Sequence, residues 1–136
     1  MMLQNHTALV TGAAGLLGRA IVATLRAEGA TVVAVDMDAT KLRELADATP
    51  SLIAIEGDLT KEADVERVVA DVEAKVGRID VLINCAGKYL NRPIVEMSVD
   101  EWDWAMALNL RSTMLMCRAY GRKWPLQGIK GVIVNI

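Results

Sequence analysis

Five short runs of apolar, mostly β-branched residues alternate along this chain with segments of helical periodicity. The clearest run, Thr31–Val35, is TVVAV and has no polar residue after its first position. A strand made only of apolar residues has no face suited to water, so it must be covered on both sides, as strands of parallel sheets are. The alternation therefore predicts an α/β architecture in which helices cover both faces of a parallel sheet.

The sequence also gives bounds for these elements and an order for the strands. The strands are expected at Thr7–Thr11, Thr31–Val35, Leu52–Ile55, Ile79–Ile83 and Gly131–Ile136. Right-handed crossovers place the first three in the order 3-2-1 and the last two on the other side, which gives 3-2-1-4-5. Gly29 and Gly77 are expected to end the first and third helices, and Asp38 to cap the second.

The last helix is predicted to begin at a capping box formed by Ser98 and Glu101. Its apolar positions recur at helical spacing and predict a buried stripe: Trp102, Ala105, Met106, Leu110, Thr113, Cys117 and Tyr120. Asn109 falls within this stripe, so its amide is expected to be buried. Because a buried, unpaired amide costs on the order of 1–3 kcal/mol, Asn109 needs partners. Asn109 is either a core residue whose amide is hydrogen-bonded within the protein or a polar anchor beside a reacting centre.

Three glycines lie at the junction between the first strand and the first helix, Gly12, Gly15 and Gly18. A dinucleotide site uses glycine here for a tight turn, for close approach of the backbone to the pyrophosphate, and for packing of helix on strand. The helix N-terminus then offers free amides to the phosphates. Because the glycines follow a strand and open a helix, they predict a Rossmann-type dinucleotide site rather than an ordinary turn.

Asp36 ends the second strand, eighteen residues after Gly18. A carboxylate at this place accepts hydrogen bonds from the adenosine ribose hydroxyls. The alternative is a cap for the next helix, for which Asp38 is better placed. Asp36 would repel a 2′-phosphate, and neither Ala14 nor Met37 offers a positive charge, so the sequence favours NAD over NADP.

Polar or small residues also follow the third and fourth strands. Asp58 lies at a carboxyl end, where ligands collect in open α/β sheets, but it is equally compatible with a loop acid near a helix N-terminus. Asn84–Gly87 would let a cofactor lie against backbone, and the Asn84 amide could tie neighbouring strands. A simple loop exit explains the same segment, so the residues alone leave both alternatives open.

Composition restricts the partners. The 136 residues carry 15 Lys plus Arg and 17 Asp plus Glu, a net charge of −2, which provides no basic field for nucleic acid. Polar residues and glycines exclude a membrane span in the first eighteen residues, and the basic start of a signal peptide is lacking. Two distant cysteines predict neither a disulfide framework nor a metal site. We therefore expect a soluble, cytoplasmic protein without nucleic-acid or membrane partners.

In this order, the motifs resemble the short-chain dehydrogenase/reductase family over essentially the whole chain. They are the glycine turn, Asp36, Gly57–Leu59, Asn84–Gly87, Asn109–Leu110 and Gly131–Ile136. The resemblance implies a homo-oligomeric oxidoreductase that transfers a hydride between NAD and a small carbonyl or secondary-alcohol substrate. The segment from Lys88 to Trp102 is most similar to 3-oxoacyl-carrier-protein reductases and to sugar or polyol dehydrogenases.

The resemblance also assigns a role to each motif. It implies that the pyrophosphate lies on Gly12, Gly15, Leu17 and Gly18, the adenosine ribose on Asp36, the adenine on Asp58 and Leu59, and the nicotinamide-side ribose on Asn84, Ala86 and Gly87. Asn109 would match the family's catalytic helix asparagine, which holds a water in the proton relay.

The chain departs from the family pattern in three respects. Leu16 stands where the middle glycine of the turn is expected, which puts phosphate contacts there in doubt, and Cys85 replaces a second asparagine. The catalytic Ser and Tyr-x-x-x-Lys are not found, since Tyr120 is followed four residues later by Trp124.

The final strand is a bare apolar edge, a form that complete domains usually cover. We therefore expect residues 1–136 to be a single dinucleotide-binding domain, truncated after strand five and inactive by itself as a dehydrogenase. The alternatives are a catalytically inactive dinucleotide-binding module and a structural remnant that binds nothing.

Overall fold

A computed structural model describes all 136 residues and places five strands in one sheet. The strands are β1 (Thr7–Thr11), β2 (Thr31–Asp36), β3 (Ile53–Glu56), β4 (Val81–Asn84) and β5 (Val132–Asn135). All neighbouring strands are parallel, in the order β3-β2-β1-β4-β5. This confirms the predicted doubly wound, Rossmann-type α/β fold with strand order 3-2-1-4-5, and each strand lies within two residues of its expected bounds.

Five α-helices connect or flank the strands. They are α1 (Leu16–Ala27), α2 (Ala39–Asp47), α3 (Glu62–Val76), α4 (Val99–Met106) and α5 (Ser112–Gln127). A π-helical turn at Ala107–Arg111 joins α4 to α5, and a short 3-10 turn at Ile94–Glu96 precedes α4. No helix combines the length and the apolar character needed to cross a bilayer.

The helix ends follow the capping residues that the sequence indicated. Asp38 caps α2 by accepting a hydrogen bond of 3.0 Å from the Lys41 backbone N–H. Ser98 and Glu101 form the expected capping box at the start of α4. Gly77 follows α3 with a φ of +77°, a conformation that glycine adopts without strain. The α2 cap is important for the site because it fixes Asp38 directly beside the end of β2.

The core lies on both faces of the sheet, and successive residues of the central strands alternate between the two. Leu9 and Val33 pack with α3 and α5 on one face, whereas Val10 and Val32 pack with α1 and α2 on the other. All four side chains are fully buried. Burying one such side chain contributes about 1.5–3 kcal/mol, so β1 and β2 are the structural centre from which the loops at the carboxyl edge project.

The predicted buried stripe of the last helix is wrong in its first part. α4 contains no buried residue, and Trp102 at its centre is 49% exposed. Asn109, expected to be buried, is exposed. The π-helical turn explains part of the difference, because its extra residue rotates the helix so that Leu108 and Ser112 face inward. The second part of the stripe does reach the core, where Tyr120 is buried.

Candidate functional site

A cavity of about 510 Å³ lies at the carboxyl edge of the sheet. It extends from Asp36 at the end of β2, over the junction of β1 and α1, to Gly87 beyond β4. Its volume falls in the range of pockets that hold small molecules and cofactors. Strand order reverses between β1 and β4, and this is the point at which doubly wound sheets bind ligands.

Two glycines of the turn are required by its geometry. Gly12 has a φ of +61°, and a Cβ there would lie 2.7 Å from Ala86 Cα. A Cβ on Gly18 would overlap the Gly12 carbonyl oxygen and lie 2.7 Å from Ala13 Cα. Gly15 is less constrained, since a Cβ there would come no closer than 3.3 Å to the Gly12 oxygen. The turn therefore depends on Gly12 for its path and on Gly18 for helix packing.

The first turn of α1 presents free backbone amides to the cavity. The N–H groups of Leu16, Leu17 and Gly18 have no acceptor, whereas those of Gly15 and Arg19 bond to the Gly12 and Gly15 carbonyls. No acidic side chain occupies this first turn. Free amides at the positive end of a helix dipole suit an anion, and a phosphate in particular. The region that lines the cavity thus fits the pyrophosphate of a dinucleotide.

Leu16 does not disturb the turn, although a glycine was expected there. It is the first residue of α1, has no positive φ, and lines the cavity with 94% of its surface exposed. Its amide N–H remains free, so the backbone at this position resembles that of a turn with glycine.

Asp36 lies at the edge of the cavity with both carboxylate oxygens held in place. Oδ2 accepts the Ala14 N–H at 2.9 Å, and Oδ1 accepts the Asp38 N–H at 2.9 Å. The carboxylate therefore joins the glycine turn to the start of α2. Each oxygen can accept more than one hydrogen bond, so the group retains capacity for hydroxyl donors.

Two cations lie near Asp36 at positions other than 14 and 37, where the sequence offers no positive charge. Lys41 lines the cavity, with Nζ 3.2 Å from Asp38 Oδ2. Hydrogen bonds from the Lys41 backbone and side chain lower the pKa of Asp38. Arg19 Nε donates to the Ala14 carbonyl at 2.8 Å, and its Nη2 lies 3.5 Å from Glu44 Oε2. Lys41 follows the cap residue by three positions, and that spacing is the signal that could have revealed it.

Asp58 and Leu59 are placed differently from each other. Leu59 is buried and lines the cavity, but Asp58 does not. The Asp58 carboxylate accepts the Thr60 N–H at 3.1 Å and hydroxyl at 2.6 Å, and it pairs with Lys61 at 3.2 Å. Partial burial acts to raise the pKa of Asp58, but these partners outweigh it and lower the pKa. This carboxylate thus stabilises the loop before α3, as the loop-acid alternative predicted.

A single hydroxyl connects β1 to the segment after β4. Thr11 Oγ1 accepts the backbone N–H groups of Cys85 at 3.1 Å and Ala86 at 3.0 Å. Ala86 and Gly87 both line the cavity, as does Cys85, whose burial raises the pKa of its thiol. The wall of the cavity on this side is therefore small side chains and backbone.

Asn84 is buried beside this wall and does not line the cavity. Its Nδ2 donates to Asn135 Oδ1 at 2.9 Å and lies 3.4 Å from Cys117 Sγ. The amide thus ties β4 to β5, one of the two roles that the sequence left open. Asn84 Oδ1 has no hydrogen-bond partner.

The Asn109 amide bonds twice to a single residue of the loop after β4. Its Oδ1 accepts the Lys88 N–H at 2.8 Å, and its Nδ2 donates to the Lys88 carbonyl at 3.0 Å. A Cβ on Gly87 would lie 2.7 Å from the same Oδ1. Lys88 lines the cavity but Asn109 does not, so Asn109 acts here by holding the loop.

Neither tyrosine lines the cavity. Tyr120 is only 3% exposed, and its hydroxyl has no hydrogen-bond partner. Burial, with a smaller contribution from Glu73, strongly raises the pKa of Tyr120. Tyr89 is exposed on the loop after β4. The residues that line the cavity beyond those expected are Ala14, Leu16, Val35, Met37, Asp38, Lys41, Gly57, Cys85, Lys88, Trp104 and Leu108.

Comparison with known proteins agrees with the fold. The chain is 38% identical to D-threitol dehydrogenase of Mycolicibacterium smegmatis, over 98% of this chain and 53% of that protein. It is 35% identical to sorbitol dehydrogenase of Cereibacter sphaeroides, over 100% and 54% of the two chains. The crystal structure of a 3-ketoacyl-(acyl-carrier-protein) reductase from Brucella melitensis, complexed with NADH, superposes with a TM-score of 0.89 at 28% identity, over 98% and 57%.

The chain thus spans about half the length of the curated relatives it matches. The model of the short chain dehydrogenase family matches residues 6–136, which include every strand, the glycine turn and Asp36. This chain belongs to the short-chain dehydrogenase family of oxidoreductases.

Proposed function

We propose that residues 1–136 form the dinucleotide-binding domain of an NAD-dependent oxidoreductase. The observation that carries the proposal is one cavity in which three free amides of α1 lie near the Asp36 carboxylate. The amides suit a pyrophosphate, and the carboxylate suits two ribose hydroxyls. When bound, the nicotinamide would accept or donate the hydride, and the substrate would be a small carbonyl or secondary alcohol.

Each part of the cavity has a proposed task in holding the cofactor. The pyrophosphate would lie against the turn formed by Gly12, Gly15, Leu17 and Gly18. The adenosine ribose would bond to Asp36, and Leu59 would contact the adenine. The nicotinamide-side ribose would lie against Ala86 and Gly87. Asp58 and Asn84 would support these contacts indirectly, because their side chains bond to protein groups outside the cavity.

Asn109 is proposed as a positioning residue for the catalytic centre. Both ends of its amide bond to the Lys88 backbone, so it sets the path of the loop that follows β4. That loop borders the nicotinamide half of the cavity. In the whole enzyme, Asn109 would also hold a water molecule in a proton relay, as the family resemblance implies.

Charge supports NAD rather than NADP. Asp36 and Asp38 both line the cavity at the ribose end, and Lys41, the cation that lines this end, is paired with Asp38. A 2′-phosphate placed there would meet the Asp36 carboxylate and a neutralised Asp38–Lys41 pair, with no free cation to offset the repulsion.

We extend the proposal to the substrate class and to the whole protein. Similarity to D-threitol and sorbitol dehydrogenases and to a 3-ketoacyl-(acyl-carrier-protein) reductase supports a polyol, sugar or 3-oxoacyl substrate. The family resemblance supports a homo-oligomer, and two free cysteines are compatible with the reducing cytoplasm.

A second candidate function is a dinucleotide-binding module without catalytic activity. The observation that favours it is the state of Tyr120, which is buried, has no partner for its hydroxyl and is absent from the cavity lining. A tyrosine so placed cannot exchange a proton with a substrate. We therefore expect the 136-residue chain to bind NAD and to reduce none of it when offered an alcohol.

The test is a calorimetric titration of the 136-residue chain with NAD and with NADP, followed by an assay for NAD reduction. The unaltered chain should bind NAD more tightly than NADP. In the double variant Asp36→Ala, Met37→Arg, NAD binding should weaken at least tenfold and NADP binding should improve, since the new cation replaces the repelling carboxylate. An unchanged ratio of the two affinities would show that Asp36 does not contact the ribose.

A further inference from the structure

Two cations lie beside the Asp36 end of the cavity, Lys41 in its lining and Arg19 next to it, and each is paired with its own carboxylate. Lys41 pairs with Asp38, and Arg19 lies beside Glu44. With Asp36, the group carries three negative and two positive charges, so its net charge is −1. The negative character of this region therefore depends on Asp38 and Glu44 as well as on Asp36.

The two cations differ in freedom. The Arg19 guanidinium donates from Nε to the Ala14 carbonyl at 2.8 Å and from Nη2 to the Lys41 carbonyl at 3.1 Å. These bonds fix it between α1 and α2. The Lys41 ammonium has one partner, Asp38 Oδ2 at 3.2 Å, and its side chain is 62% exposed. Lys41 also lines the cavity, which Arg19 does not. It is thus the cation that could turn toward a ligand.

Asp38 restrains Lys41 through both of its carboxylate oxygens. Oδ1 accepts the Lys41 backbone N–H at 3.0 Å as the cap of α2, while Oδ2 pairs with the Lys41 ammonium. Asp38 therefore caps α2 and also neutralises the Lys41 ammonium, which α2 places in the cavity lining.

We propose that Asp38 is a second determinant of cofactor choice, which excludes NADP by occupying the Lys41 ammonium. The inference rests on the proposed dinucleotide function and adds a residue whose effect is exerted through Lys41. Asp36 alone repels a 2′-phosphate, but an unpaired ammonium in the same cavity would offset that repulsion. Because Asp38 pairs with the Lys41 ammonium, the repulsion by Asp36 is not offset. The cavity therefore accepts a ribose with free hydroxyls and rejects one that carries a 2′-phosphate.

The substitution Asp38→Asn tests this without removing the helix cap. Asparagine caps helices as well as aspartate does, but it carries no charge to hold the ammonium. The affinity for NADP relative to NAD should rise roughly fivefold, the range expected for one ion pair at a partly exposed site. The rise should diminish with added salt, because screening weakens a charge–charge contact.

Two further variants separate the proposed mechanism from a general charge effect. In the double variant Asp38→Asn, Lys41→Met the rise should vanish, because no ammonium remains to meet the phosphate. Glu44→Gln removes the same unit of charge nearby but leaves Arg19 anchored by its two carbonyl bonds, so the ratio should change less than twofold. Thermal unfolding of each variant checks that α2 is intact.

The outcomes distinguish this inference from the function on which it rests. A rise confined to Asp38→Asn supports it. An unchanged ratio in Asp38→Asn, or an equal rise in Glu44→Gln or in the double variant, overturns it while leaving NAD binding in place. If the unaltered chain binds neither dinucleotide, the proposed function fails, and this inference fails with it.

Discussion

The two ends of the cavity differ in how fully their polar groups are bonded. Near Asp36, the Asp36 carboxylate accepts the backbone N–H groups of Ala14 and Asp38, and Arg19 donates to the Ala14 carbonyl. The strands beneath are buried. Beyond β4, Asn84 Oδ1 has no partner, and every residue of β5 is exposed. The Asp36 end is thus held by a network of hydrogen bonds. The end beyond β4 depends on a few contacts from Thr11, Asn109 and Asn135.

Under the proposed function, the two ends would recognise the two halves of the cofactor separately. The adenosine half would be held by one β-α-β unit and the helix α2 that follows it. The nicotinamide half would depend on β4, on the π-helical turn that bears Asn109 and on β5, which are distant from one another in sequence. Three experiments address this difference, and the first is expected to have the largest effect.

The first prediction concerns the turn on which the better-bonded end depends. Gly18→Ala places a methyl group against the Gly12 carbonyl and the Ala13 backbone, so α1 must move away from β1. We expect a loss of about 3 kcal/mol in the free energy of unfolding, and at least a tenfold loss of NAD affinity.

Gly15→Ala is the matched control, because it adds the same methyl group to the same turn at a position with a nearest approach of 3.3 Å. It should cost less than about 1 kcal/mol. Urea unfolding of both variants measures the difference, and equal losses would show that the turn is not fixed by the packing of α1 on β1.

The second prediction compares the same substitution in two strands. Val33 in β2 is fully buried, whereas Val134 in β5 is 38% exposed. Val33→Ala should lower the free energy of unfolding by about 2 kcal/mol, since it removes two buried methyl groups and leaves a cavity. Val134→Ala should lower it by less than about 0.5 kcal/mol. Similar values in denaturant unfolding would mean that β5 is covered in solution.

The third prediction concerns the Tyr120 hydroxyl. Like Asn84 Oδ1, it is a buried polar atom without a hydrogen-bond partner. Tyr120→Phe removes it and keeps the ring contact with Trp124, whose centroid lies 5.7 Å away. Stability should stay the same or rise by up to about 1 kcal/mol, because an unpaired buried hydroxyl carries an uncompensated desolvation cost. A clear loss of thermal stability would indicate that a water or a protein group bonds to this hydroxyl.

The elements that could be predicted from the sequence are those determined by local patterns. Strands such as β2 are continuous apolar runs, and crossover handedness then gives their order. The Asp38 cap and the Ser98–Glu101 capping box follow from short-range spacing, as does the placement of Asp36 at a strand end. These features are set within a few residues of the chain, which is why sequence reasoning found them.

The features that could not be predicted from the sequence depend on the direction of a helix after it leaves the sheet. Asn109 lies in an apolar stripe, yet a π-helical turn and the lack of buried contacts in α4 leave it exposed. The sequence left two alternatives open for Asp58, and the bonds of its carboxylate to Thr60 and Lys61 favour the loop role, since a nearby donor competes with a distant ligand. Lys41 reaches the cavity only because α2 starts directly beside Asp36.

The Thr11 hydroxyl has a consequence for motion. Because Oγ1 accepts two successive amide protons, from Cys85 and Ala86, the segment after β4 cannot open unless the end of β1 releases it. Local openings of a protein occur in cooperative units, and this hydroxyl joins the two cavity walls into one such unit. Hydrogen exchange of these two amides should therefore follow that of β1, at a rate far below that of the exposed loop they precede. A dinucleotide would then enter a cleft whose walls move together, and the flexibility needed for entry would lie in the residues after Gly87.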